Sequence, residues 1–88
     1  MEKMKVSSAT DVVSLAGAIA GSIKNDGSAE LQAIGAGAVN QMVKALITAR
    51  GYLAPEGICI EMMPSFCNVE IHGKEKTAIR FEVRKVER

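Results

Sequence analysis

The stretches of this sequence that read as β-strands alternate apolar with polar residues, and that habit restricts the fold more than any motif does. Met4 and Val6 alternate with Lys3, Lys5 and Ser7. Leu31 and Ala33 alternate with Glu30 and Gln32, and Ile79, Phe81 and Val83 with Arg80, Glu82 and Arg84. Period-two alternation marks a strand with one buried face. A sheet covered on both faces needs nearly continuous apolar strands instead. Helices are therefore expected on one face only. The other face is expected to show Lys3, Lys5, Glu30, Gln32, Arg80, Glu82 and Arg84 to solvent, a mixture of signs.

Between these strands the apolar spacing becomes helical. Val12, Leu15, Ala16, Ile19 and Ile23 share one helical face, after a possible capping box in Ser8 and Asp11 and before a Gly27 stop. A second helix is expected to bury Val39, Met42, Val43, Leu46 and Ile47, to show Asn40, Gln41, Lys44 and Thr48, and to end at Gly51. Pro55-Glu56-Gly57 reads as the following turn. Ile58, Ile60 and Met62 then share one strand face, whereas Val69 and Ile71 fall on the other parity, which predicts a bulge or an irregular segment around Pro64–Asn68. His72-Gly73 reads as a turn. The order β-α-β-α-β-β makes an α/β two-layer sandwich, with both helices on one face of a mixed four-stranded sheet. Residues 1–88 form a single domain, the most that 88 residues support.

Composition narrows the function. Eleven Lys and Arg against ten Asp and Glu leave +1, but the charge is uneven. Residues 54–73 hold Glu56, Glu61 and Glu70 with no base. Residues 74–88 hold Lys74, Lys76, Arg80, Arg84, Lys85 and Arg88 against Glu75, Glu82 and Glu87, a local +3. Two cysteines suit a reducing cytoplasm better than a disulfide framework. The N-terminus lacks the apolar core of a signal peptide, and the run from Val12 to Ile23 is too short to span a bilayer, so no membrane role is expected. Cys59, Cys67 and His72 are too few and too scattered for structural zinc; they read as buried thiols and a turn histidine. No catalytic constellation, cofactor site or small-molecule substrate site emerges, so a non-enzymatic protein is expected.

Three local features can carry binding. Gly35-Ala36-Gly37 lies between strand and helix, where it is either a phosphate-contacting turn or a tight turn that needs small residues. Asn40 stands where a dinucleotide fingerprint would have its third glycine. Gly17 and Gly21 make a ridge of small residues suited to close packing on the sheet or to a subunit contact. Lys74 and Lys76 sit at the hairpin, either as phosphate contacts or as a solvated charge run. Tyr52, Phe66 and Phe81 are the only aromatics, so base stacking on the sheet is not expected.

The segments KVSS, LAGAIAGSI, AELQAIGAGAVNQMVKALITARGYLAP and NVEIHGKEKTAI closely resemble the stage V sporulation protein S family, from about Met4 to Val83. That family consists of small bacterial regulators and is similar in architecture to Alba, a dimeric archaeal chromatin protein. The resemblance implies a homodimer or higher homo-oligomer that binds DNA or RNA, and the few lysines placed to reach phosphates make that binding weak and largely independent of sequence. Gly35, Gly37, Asn40, Lys44, Lys74 and Lys76 are the expected contacts. Departures from Alba are visible. Ser7, Ser8 and Asp11 stand where Alba is basic, the glycine turn is neutral, and the hairpin arm, His72 to Lys76, is short. The alternative is a module that regulates sporulation or development through protein partners.

Overall fold

The computed structural model describes residues 1–86; Glu87 and Arg88, both counted in the basic C-terminal sum, lie outside the described residues. The elements are β1 (Glu2–Val6), α1 (Val12–Asp26), β2 (Ser28–Ala33), α2 (Ala36–Leu53), a 3-10 turn (Ala54–Glu56), β3 (Ile60–Ile71) and β4 (Lys74–Lys85). The sheet order is β1-β2-β4-β3, with β1 parallel to β2 and β4 antiparallel to both its neighbours. Both helices lie on one face. There Leu15, Ile19 and Ile23 of α1 and Met42 and Leu53 of α2 meet Leu31, Phe81 and Val83 of the sheet in one core.

Asp11, not Ser8, caps α1: the Ser14 backbone N–H donates to Asp11 Oδ2 at 2.9 Å. Gly27 ends that helix in the left-handed region, φ 78°, and its N–H donates to the Ile23 carbonyl at 2.9 Å. The second helix differs from expectation at its end and in its rotation. It runs through Gly51 to Leu53, because burying Leu53 completely contributes about 2 kcal/mol and outweighs the ~1 kcal/mol that a helical glycine costs. Its core face is Ala38, Met42, Ala45, Ala49 and Leu53, whereas Val43 and Ile47 are exposed, Ile47 by 65%. Small side chains let α2 lie close to its neighbours, so the alanine stripe turns inward and the bulkier stripe outward.

No bulge interrupts β3. Every residue from Ile60 to Ile71 pairs in one register with β4, from Lys85 to Lys74. Pro64 is tolerated because β3 is an edge strand, where a missing N–H breaks no second ladder. The parity change has a simpler cause: Ile60 and Met62 belong to the helix-covered face, and Val69 and Ile71 to the open one. Pairing of β2 with β4 stops at Ile79, so Cys67–Ile71 and Lys74–Ala78 project together as a two-stranded arm. His72 (φ 51°) and Gly73 (φ 77°) close it as a two-residue turn. The arm is therefore longer than the His72–Lys76 tip expected from sequence, and the molecule reaches 43 Å along its longest axis.

Glu30 also departs from expectation. It lies on the open face yet is only 6% exposed, because Gln32 Nε2 donates to its Oε2 at 2.8 Å and Arg80 Nη1 lies 3.7 Å from Oε1.

Candidate nucleic-acid interface

Strand register decides which side of the arm each charge takes. Lys74 pairs with Ile71 and Lys76 with Val69, so both lysines fall on the open face with Arg80 and Arg84. Glu70 and Glu75 oppose each other across the arm on the other face. The arm is two-faced, cationic on one side and acidic on the other, so its charge attracts a polyanion to the lysine side and repels it from the glutamate side. Both lysines are exposed and have no ion pair among the described residues.

The glycine turn lies beside the arm. Gly35 has φ 93° and ψ 154°, a conformation essentially restricted to glycine, and it starts α2 without a side-chain cap. Gly37 lies inside the first helical turn, where an added Cβ would come 3.1 Å from Ser8 Cβ. Gln41 reinforces that approach by donating from Nε2 to the Thr10 carbonyl at 2.9 Å. Both glycines thus have backbone reasons to be there. They also line a cleft of about 490 Å³ with Lys5, Ser8, Val69 and Ile71, which brings the start of α2 against the arm. On the helix-covered side a second groove, of about 630 Å³, runs from Asn40 and Val43 to Phe66 and Ile79. The fold therefore joins Gly35 and Gly37 to the arm and sets Asn40 beside Phe66. Lys44, exposed one turn beyond Asn40, lines neither cavity.

Sequence reasoning missed the apolar surface next to this site. Phe66 is 78% exposed, and with Val43 and Ile47 it leaves a patch uncovered. The Ala38, Ala45, Ala49 spacing was the available signal, since a second stripe at helical period competes with the bulkier one. Of the two readings of the Gly17–Gly21 ridge, close packing on the sheet does not hold: a Cβ at either position would meet nothing within 4 Å. Cys59 and Cys67 are half-buried, not fully buried. Among the described residues no three His, Cys, Asp or Glu side chains gather in a way that could hold a metal ion. Among the described residues no helix is long and apolar enough to cross a membrane. The cap hydrogen bonds from Ser14 hold the Asp11 carboxyl below its ordinary value of 3.8.

Comparison with known proteins gives the same architecture. The model of the stage V sporulation protein S family matches residues 2–86. Among solved structures, the chain is similar to Alba from Thermoplasma volcanium, with a TM-score of 0.62 and 11% sequence identity over 97% of this chain and 99% of that one. At that identity the likeness concerns the fold alone.

Proposed function

The chain belongs to the stage V sporulation protein S family and has the Alba-like fold, and from that premise we propose that it is a non-enzymatic cytoplasmic regulator that binds DNA or RNA through backbone phosphates as a homodimer or higher homo-oligomer. The observation that carries this reading is the projecting arm, with Lys74 and Lys76 on one face and the glutamates on the other. Two point charges on an exposed ribbon suit phosphate oxygens, which fix position and carry no sequence information. Gly35 and Gly37, in the wall of the cleft against the arm, add contacts from the start of α2. No exposed helix presents a row of arginines to a major groove, so base readout is not part of the proposal. Val43, Ile47 and Phe66 form the exposed apolar surface that a second copy would cover.

The test is fluorescence titration of labelled duplex DNA and duplex RNA at about 50 mM and 200 mM salt, where phosphate-driven binding falls steeply. Salt-sensitive binding supports the reading, and its absence at the lower salt contradicts it. The exposed Ile47 and Phe66 favour one alternative, a module that docks protein partners. That reading predicts no nucleic-acid binding at either salt.

A further inference from the structure

The uncovered sheet face holds most of the chain's cationic charge. Lys3 pairs with Glu30, which pairs with Glu82; Lys5 pairs with Gln32, which pairs with Arg80. Residues in register share a face, so Lys3 and Lys5 lie on the same side of the sheet as Arg80, Arg84, Lys74 and Lys76. Six of the eleven Lys and Arg residues thus occupy one face, against three acids: Glu30, Glu61 and Glu82. Two of those acids are already engaged, Glu30 with Arg80 at 3.7 Å and Glu82 with Arg84 at 3.0 Å. The strand residues of the opposite face carry Glu2, Glu70 and Glu75 against Lys85 alone.

The four lysines left over have no ion pair among the described residues and stand at two ends of one surface. Lys3 and Lys5 are exposed on the β1 edge, and Lys74 and Lys76 are exposed on the arm. Between them lies the 490 Å³ cleft, with Lys5 in its wall and with Val69 and Ile71, the register partners of Lys76 and Lys74, on its other side. Among the described residues both helices pack on the far side of the sheet, and only the start of α2 reaches this surface, at the wall of the cleft. The aromatic side chains do not reach it: Phe66 and Phe81 have the opposite parity.

We infer that the open face of the sheet is the nucleic-acid surface, and that Lys3 and Lys5 take the backbone phosphates of the same duplex that the arm holds through Lys74 and Lys76. This rests on the nucleic-acid reading and extends it, since neither the glycine turn nor the hairpin alone assigns a role to β1. The occupant is a nucleic-acid backbone because the surface offers dispersed cations without an aromatic platform, which matches phosphates and not stacked bases.

The test compares three proteins on one labelled duplex DNA of mixed sequence: the parent, Lys3→Glu with Lys5→Glu, and a charge-matched control on the helix layer, Lys24→Glu with Arg50→Glu. The β1 variant is expected to lose affinity and to show a salt slope shallower by about 1.8, or about 0.9 for each phosphate contact removed. The control is expected to keep the parent slope. Acetylation footprinting of the unmodified parent removes any dependence on how the variants fold, and DNA is expected to protect Lys3, Lys5, Lys74 and Lys76 but not Lys24. If the parent binds with Lys3 and Lys5 unprotected and the β1 variant keeps its slope, the open-face inference fails while the nucleic-acid reading stands. Equal losses in the β1 variant and the control also overturn it, because net charge alone would then explain both. A parent that does not bind at all removes both readings.

Discussion

The rotation of α2 can be tested by two substitutions two residues apart whose effects the sequence pattern and the structure rank in opposite order. Ala45 is fully buried and Ile47 is 65% exposed. Replacing Ala45 by Leu forces an isobutyl group into a packed layer with no room for it, a cost of about 1–3 kcal/mol. At roughly 4–8 °C per kcal/mol for a domain of this size, a 2 kcal/mol loss lowers the thermal midpoint by about 8–16 °C. That is a large share of the ~4–13 kcal/mol expected for 88 residues. Replacing Ile47 by Ser removes a side chain that mostly faces solvent, so protomer stability changes by less than about 0.5 kcal/mol, or roughly 2–4 °C. Circular dichroism melts and urea titrations measure both variants. Melts at several protein concentrations separate protomer stability from assembly, because only the latter depends on concentration. A neutral Ala45→Leu, together with an Ile47→Ser loss of several kcal/mol that does not depend on concentration, would refute the rotation and restore the bulkier stripe to the core.

Gly17→Ala is expected to raise stability by about 0.5–1 kcal/mol, since the position is helical and its Cβ would meet nothing, whereas Gly35→Ala should cost about 1–3 kcal/mol at φ 93°; urea titration of both checks this pair. Gly37→Ala should destabilise through its 3.1 Å approach to Ser8, and Ser8→Gly in the same chain should recover much of the loss. Asp11 has its carboxyl pKa lowered on folding by the Ser14 hydrogen bonds, so its contribution is present above the unfolded value and is lost as pH falls through the lower folded one. The stability gap between the parent and Asp11→Ala should accordingly be constant near neutrality and close below about pH 4; a gap that persists in strong acid would contradict the cap.

Much of the architecture is written in local pattern. Gly27, His72-Gly73 and the Ile79, Phe81, Val83 alternation each act within a few residues, and each appears in the fold where the pattern places it. What the pattern hides are choices between faces. In α2, Val43 and Ile47 outweigh Ala45 and Ala49 on any hydrophobicity scale, but the close approach of two helices and a sheet selects for small volume. In β3, two apolar groups of opposite parity suggest a defect, although one unbroken strand serves both when its two halves are covered differently. The length of the arm was obscured because Asn68, Glu70, Glu75 and Thr77 keep one of its sides polar and exposed. Burial of Glu30 depends on Arg80, fifty residues later in the chain. The candidate site follows the same division. Lys74 and Lys76 were legible as hairpin lysines, but their shared face, and its continuation to Lys3 and Lys5, exist only through the register that pairs all four strands.

The measurement that bears most directly on phosphate binding through the arm is the salt dependence of duplex binding by Lys74→Glu with Lys76→Glu, beside the parent. Both side chains are exposed on the arm, so the variant is expected to melt with the parent. Binding should be lost near 200 mM salt, and whatever remains near 50 mM should show a slope shallower by about 1.8 per protomer. A variant that melts with the parent and binds with the parent's affinity and slope would place the interface elsewhere and contradict the account.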